Sequence, residues 1–220
     1  MEVARFARPG DLTGRSLVVV LPGTHTQRRD FDSEGFIPAL RQRFPLAEAL
    51  ALGLDLADYV EPDFPAQLHD GVIAPALRQG YAHISLVGIS LGGMGALLYA
   101  AAYPDHAGNI ILIAPFLATR RTIAVVTMAG GLAAWGPGAD TPGDIERGLL
   151  AWLKSSGFAA TIGPRLILGY GREDRFAGAS TILARVMPSE RLIAIAGGHN
   201  WTTWLRLWRR ILDERSGELP

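Results

Sequence analysis

Short aliphatic runs, each closed by glycine, proline or an acidic turn, recur along the chain with helical stretches between them. Ser16–Leu21 (SLVVVL), His83–Val87, Ile110–Ala114, Arg165–Tyr170 (RLILGY) and Arg191–Ala196 (RLIAIA) hold no regular polar alternation. They read as strands buried on both faces. Helical spacing is expected over Ser33–Phe44 with Ser33 as cap, over Leu46–Leu54, over Pro65–Gln79 on Leu68, Val72, Ile73 and Leu77, and over Leu91–Tyr103 up to Pro104. Ala57–Val60 is expected to be a short strand. A helix over about Ala179–Val186 precedes the last strand. A final helix carries Trp201, Trp204, Leu205, Trp208, Ile211 and Leu212 on one side and Arg206, Arg209 and Arg210 on the other, so its tryptophans are expected in the core.

Strand and helix alternating in this way predict an α/β fold with a mostly parallel central sheet flanked by helices, formed by residues 1–220 as one domain. Thr119–Ser156 departs from the alternation. It offers an apolar piece, Ile123–Trp135, a Gly/Pro-rich turn to Gly143, and a second helix with Thr141 as cap, Pro142 in its first turn and Ile145, Leu149, Trp152 and Leu153 towards one side. A short helical lid inserted at about 117–160 is expected, the alternative being two ordinary crossover helices.

Composition narrows the chemistry. Basic and acidic residues balance at 21 each with no basic stripe, which argues against a nucleic-acid partner. Cysteine is absent, so disulfides and thiolate chemistry are excluded. The first residues, MEVARFARPGDLTG, lack the apolar segment of a signal peptide, and no apolar run spans a membrane; a cytoplasmic protein is the expectation. No His/Asp/Glu cluster has metal-ligand spacing and no phosphate-binding glycine motif occurs, so neither metal nor cofactor is implied. Oligomeric state is not legible.

Within LVGISLGGMGALLY, Gly88, Ser90 and Gly92 form G-x-S-x-G between a strand-type run and a helix-type run. A serine on so sharp a turn needs small neighbours, and its hydroxyl stands clear of the sheet beside unpaired helix N–H groups. The plainer reading is a serine that only caps the helix. Two further polar residues follow predicted strands, Asp174 in Gly171-Arg172-Glu173-Asp174 and His199 in Gly197-Gly198-His199-Asn200. Serine needs a base within hydrogen-bond reach, and imidazole oriented by a carboxylate is suited to that task. Glu173 competes with Asp174 for the acid. His69, His83 and His106 read as solvated, and Arg172 and Arg175 as surface residues with a smaller claim on an anionic substrate group.

With LVVVLPGT, LVGISLGGMGA, LILGYGREDRF and LIAIAGGHNWTTW the chain resembles the α/β-hydrolase family from Leu17 onward. The resemblance implies a serine hydrolase of the small esterase or thioesterase type, acting on a small-molecule acyl substrate without a cofactor. It implies Ser90 as nucleophile, Asp174 as acid, His199 as base, and the backbone N–H groups of Leu91 and Thr24 as oxyanion hole. Gly23, His25, Trp135 and Trp152 are then candidate substrate contacts. The family's usual His-Gly is replaced here by Pro22-Gly23, and residues 1–15 show little strand character, so a sheet reduced at its N-terminal end is expected. An acyltransferase, an amidase or peptidase, or a binding protein that kept the fold are the alternatives.

Overall fold

The computed structural model describes the backbone of residues 2–6 and all of residues 15–138 and 144–219. Among them lies one seven-stranded sheet in the order β1-β3-β2-β4-β5-β6-β7. The strands are β1 (Glu2–Phe6), β2 (Ser16–Leu21), β3 (Glu48–Gly53), β4 (His83–Ile89), β5 (Ile110–Ile113), β6 (Leu166–Gly171) and β7 (Leu192–Ile195). Six are mutually parallel, and β1 runs antiparallel on the outer edge of β3.

The aliphatic runs alternate between two cores. In β2, Leu17, Val19 and Leu21 face one side and Val18 and Val20 the other. The first side packs against α3 (Leu56–Val60), α4 (Phe64–Leu68), α5 (Ala74–Arg78) and α6 (Leu91–Ala102); the second packs against α1 (Asp30–Ser33) and α2 (Phe36–Arg43). Between β5 and β6 come α7 (Arg120–Met128) and α8 (Ile145–Leu153), then α9 (Ala177–Ala184) after β6 and α10 (Trp201–Glu214) at the end, on the α2 side. Trp208 stacks on Phe36 with ring centroids 4.6 Å apart and donates its indole N–H to the Phe36 carbonyl at 3.0 Å, so the tryptophans of α10 belong to the core as expected.

Local pattern misreads the chain in several places. Glu48–Gly53, with the good helix formers Glu, Ala and Leu, is a strand because it lies between β1 and β2. There Leu50 and Leu52 enter one core while Ala49 and Ala51 make room for α2 in the other. Leu56–Val60, expected as a strand, is a helix started by a capping box: Asp55 accepts from the Ala57 and Asp58 N–H groups, and Asp58 accepts from the Asp55 N–H. Residues 2–6 form a strand after all, so the sheet is less reduced than expected; edge pairing with β3 supplies what local pattern lacks. Gly35, at φ 84°, splits the expected helix over 33–44 into α1 and α2, leaving Ser33 in the last turn of α1. The 65–79 helix accommodates Gly71 and Pro75 through a π turn at His69–Ile73.

The helix expected over Ile123–Trp135 starts earlier, at Arg120, with the Thr119 hydroxyl accepting from the Thr122 N–H, and stops at Met128. Gly130 and Gly131 follow with φ of 97° and 101° and turn the chain so that Leu132 and Trp135 reach the core. The expected caps Thr141 and Pro142 lie outside the described residues; Asp144 caps α8 instead, accepting from the Arg147 N–H at 3.0 Å.

Candidate active site

Ser90 sits where β4 ends and α6 begins, with φ 53° and ψ −116°, a left-handed conformation costly for a residue with a Cβ. Its backbone is held on both sides. The Ser90 N–H donates to the Ile113 carbonyl at 3.0 Å, and its carbonyl accepts from Gly93 at 2.9 Å and Phe116 at 2.8 Å. The flanking glycines are steric requirements, since a methyl on Gly88 would overlap the Gly92 carbonyl and one on Gly92 the Leu21 carbonyl. The Ser90 side chain makes no capping bond to α6, which removes the plainer reading of the motif.

The hydroxyl is engaged elsewhere. Ser90 Oγ lies 3.0 Å from His199 Nε2, and His199 Nδ1 lies 2.7 Å from Asp174 Oδ2. A carboxylate only accepts, so the imidazole proton sits on Nδ1 and the Nε2 lone pair faces the serine O–H. The Asp174 side chain is 1% exposed and its other oxygen accepts from the Phe176 N–H at 2.7 Å, which fixes the carboxylate. Phe176 and Trp204 meet the imidazole edge to face, at 4.9 Å and 5.0 Å between centroids. Asn200, the residue after His199, caps α10 by accepting from the Thr203 N–H at 3.0 Å. Glu173, the rival acid, instead accepts from the Gly197 N–H and ties the loop after β6 to the loop after β7.

Leu91 is the first residue of α6, so its N–H has no acceptor within the helix. Across from it, the loop after β2 abuts the serine: a Cβ on Gly23 would stand 3.1 Å from the Ser90 Cβ. The Thr26 N–H donates to the Gly23 carbonyl at 3.2 Å, closing a turn that carries exposed Thr24 and His25, with His25 at φ 63°. Trp135 and Trp152 are taken up in packing. Trp135 is 5% exposed in the core, with its carbonyl accepting from Lys154 Nζ at 2.6 Å, and Trp152 packs edge-on against Phe158 at 5.1 Å. His83 and His106 are exposed, and His69 stacks on Tyr103 and bonds the Tyr99 hydroxyl at 3.1 Å.

Several supporting residues were not singled out from sequence. Tyr59, fully buried in α3, donates its hydroxyl to the Pro22 carbonyl at 2.8 Å and so holds the loop facing Ser90. Its phenol pKa is pushed well above the ordinary value by burial, then by the Asp58 carboxylate, so it remains a donor. The D-x-x-D box at Asp55 was the signal that could have placed α3 and, with it, Tyr59. For the contacts of Phe176 with the imidazole, and of Trp204 with it beyond the expected place in the core, the sequence holds no such signal. Among the described residues no group of three His, Cys, Asp or Glu could hold a metal, and no helix is long and apolar enough to cross a membrane.

The parallel sheet, the strained serine between β4 and α6, and the Asp and His on the loops after β6 and β7 define an α/β-hydrolase fold. The family model Esterase, described as "Putative esterase", matches residues 68–214, and the chain belongs to that family. The fold is similar to that of Est1E from Butyrivibrio proteoclasticus, with TM-score 0.62, 15% identity and coverage of 98% of this chain and 92% of the other. It is similar also to the Paleococcus ferrophilus monoacylglycerol lipase, with TM-score 0.63, 17% identity and coverage of 97% and 96%. A third likeness is carboxyl esterase 2 from Tuber melanosporum, with TM-score 0.66, 13% identity and coverage of 99% and 81%. No curated protein matches the chain.

Proposed function

We propose that this esterase-family chain is a serine hydrolase that cleaves a small-molecule carboxylic ester or thioester through an acyl-enzyme on Ser90. The observation that carries the reading is the hydrogen-bonded series Ser90 Oγ, His199 and Asp174, at 3.0 Å and 2.7 Å, on the loops after three different strands. As Ser90 Oγ attacks the substrate carbonyl carbon, its proton passes to His199 Nε2, and Asp174 stabilises the resulting imidazolium. The carbonyl oxygen, now negative, is received by the Leu91 and Thr24 N–H groups at the head of α6 and in the loop held by Tyr59. Collapse of the tetrahedral species breaks the bond to the leaving group, which takes the proton from His199. A water that gives its proton to His199 then attacks the acyl carbon, and Ser90 recovers its proton as the acid departs.

Residues 1–220 act as one domain in this reading, with the 117–160 segment as a cover beside the site; α7 packs on α9, where Ile123 approaches Gly178. Leu132, Trp135, Leu149 and Leu153 of that segment are packed into the core. A fluorophosphonate, followed by intact-mass and peptide mapping, tests the reading. A single adduct on Ser90 with loss of ester turnover is expected, and an unlabelled Ser90 in a protein that still turns over esters would overturn it.

A further inference from the structure

The ring beside the base carries two cations. Arg120 Cζ lies 5.2 Å and Arg175 Cζ 4.9 Å from the centroid of Phe176, the ring that meets the His199 imidazole at 4.9 Å. The two arginines come from different parts of the chain, the first residue of α7 and the loop after β6, and both are exposed. A single exposed cation on a ring is held weakly by the ring quadrupole, but a second on the same ring adds repulsion between like charges. Proteins usually relieve such a pair with a carboxylate, and here the nearby carboxylates are engaged elsewhere. Asp174 is bonded to His199 and the Phe176 N–H, Glu173 to the Gly197 N–H, and Glu146 to the Thr119 and Thr122 hydroxyls at 3.2 Å and 2.9 Å. Among the described residues neither Arg120 nor Arg175 has an ion-pair partner.

We infer that Arg120 and Arg175 form an oxyanion subsite at the mouth of the candidate active site, so that the preferred ester carries a carboxylate or phosphate a few bonds from the scissile carbonyl. The inference rests on the serine hydrolase reading. Guanidinium forks match either group in bidentate fashion, and stacking on Phe176 pre-orients them. The ring contact also sets the reach: each guanidinium is one phenyl ring away from the imidazole, a span of a short acyl chain or a small leaving group. An anion bound there would relieve the repulsion between the two cations, which a neutral ester leaves in place.

The test compares kcat/KM for mono-4-nitrophenyl glutarate with the neutral 4-nitrophenyl pentanoate, and for 4-carboxyphenyl butanoate with phenyl butanoate, at low and high salt. The same ratios are measured in Arg120→Gln, Arg175→Gln and the double variant, each checked for folding by circular dichroism. The expected result is an anionic-to-neutral ratio above one in one of the two series, lowered roughly three- to tenfold by each substitution and reduced by salt in the wild type. Inhibition of pentanoate hydrolysis by inorganic phosphate, set against glutarate, separates the two anion classes; whichever inhibits more names the class. A wild-type ratio at or below one in both series, or a ratio that the double variant leaves unchanged, overturns the subsite while neutral-ester turnover and Ser90 labelling keep the hydrolase reading. Absence of both turnover and labelling removes the two together.

Discussion

The Tyr59 hydroxyl donates to the Pro22 carbonyl at 2.8 Å, and this bond joins the buried residue of α3 to the loop that faces Ser90. The Tyr59 ring occupies the space that a side chain on Gly95 of α6 would need, so the phenol, the loop and the helix that follows Ser90 are packed as one unit. Tyr59→Phe would leave the Pro22 carbonyl buried without its donor at a cost of about 1–3 kcal/mol. If the Thr24 N–H receives the oxyanion as proposed, loosening it should lower kcat by roughly threefold to thirtyfold with little change in KM, because the oxyanion forms only in the transition state. Urea unfolding and steady-state kinetics on one ester check both halves; wild-type kcat in a destabilised variant would show that the bond serves stability alone.

On the proposed reading Ser90, His199 and Asp174 should behave as a unit. Ser90→Ala and His199→Ala are each expected to lower kcat by about 10⁴-fold in a folded protein, and the double variant should be little worse than either. Asp174→Asn should cost somewhat less, since the imidazole loses the carboxylate charge that fixes its tautomer and stabilises its protonated form but not its place between Phe176 and Trp204. Glu173→Gln should be milder still, because Glu173 bonds the Gly197 backbone and not His199. A severe loss in Glu173→Gln beside a near-normal Asp174→Asn would reverse the assignment of the acid.

Gly92→Ala should fail to fold or unfold far below the wild-type temperature, since the added methyl would overlap the Leu21 carbonyl of β2, a backbone atom that cannot swing aside. Gly148→Ala is the matched control. A methyl there meets nothing within 4 Å, and on a helix it should leave stability unchanged or raise it by about 1 kcal/mol. Thermal unfolding of the two variants beside the wild type decides it.

Two phenols make stability sensitive to alkali. Burial, followed by the Asp58 carboxylate, raises the Tyr59 pKa, and burial, followed by Tyr103, raises that of Tyr99. With folded pKa values above the unfolded value near 10, their contribution is fully present below about pH 10 and is lost as pH rises through and beyond it. Chemical denaturation at pH 8 and pH 11 should show a fall in stability that is smaller in Tyr59→Phe and Tyr99→Phe; an equal fall in all three proteins would place the alkaline sensitivity elsewhere.

How much of this protein lies open in its sequence follows from the range of the forces involved. The aliphatic runs of β2, β4, β5, β6 and β7, the glycines around Ser90 and the polar residues just past three strands are local patterns. A sheet buried on both faces imposes them on the chain wherever it passes. Fold class and the candidates Ser90, Asp174 and His199 were therefore readable from the residues alone. Glu48–Gly53 was not, because its helix-forming composition is overruled by the two strands that flank it in the sheet, and both of these lie well before it in the chain, outside any local window centred on it. The 3.0 Å approach of His199 to a serine 109 positions earlier, the engagement of Glu173 with Gly197, and the hold of Tyr59 on Pro22 depend on where parallel strands end in space. The convergence of Arg120 and Arg175 on one ring depends on packing as well, since side chains that far apart along the chain meet only after the core beneath them has closed.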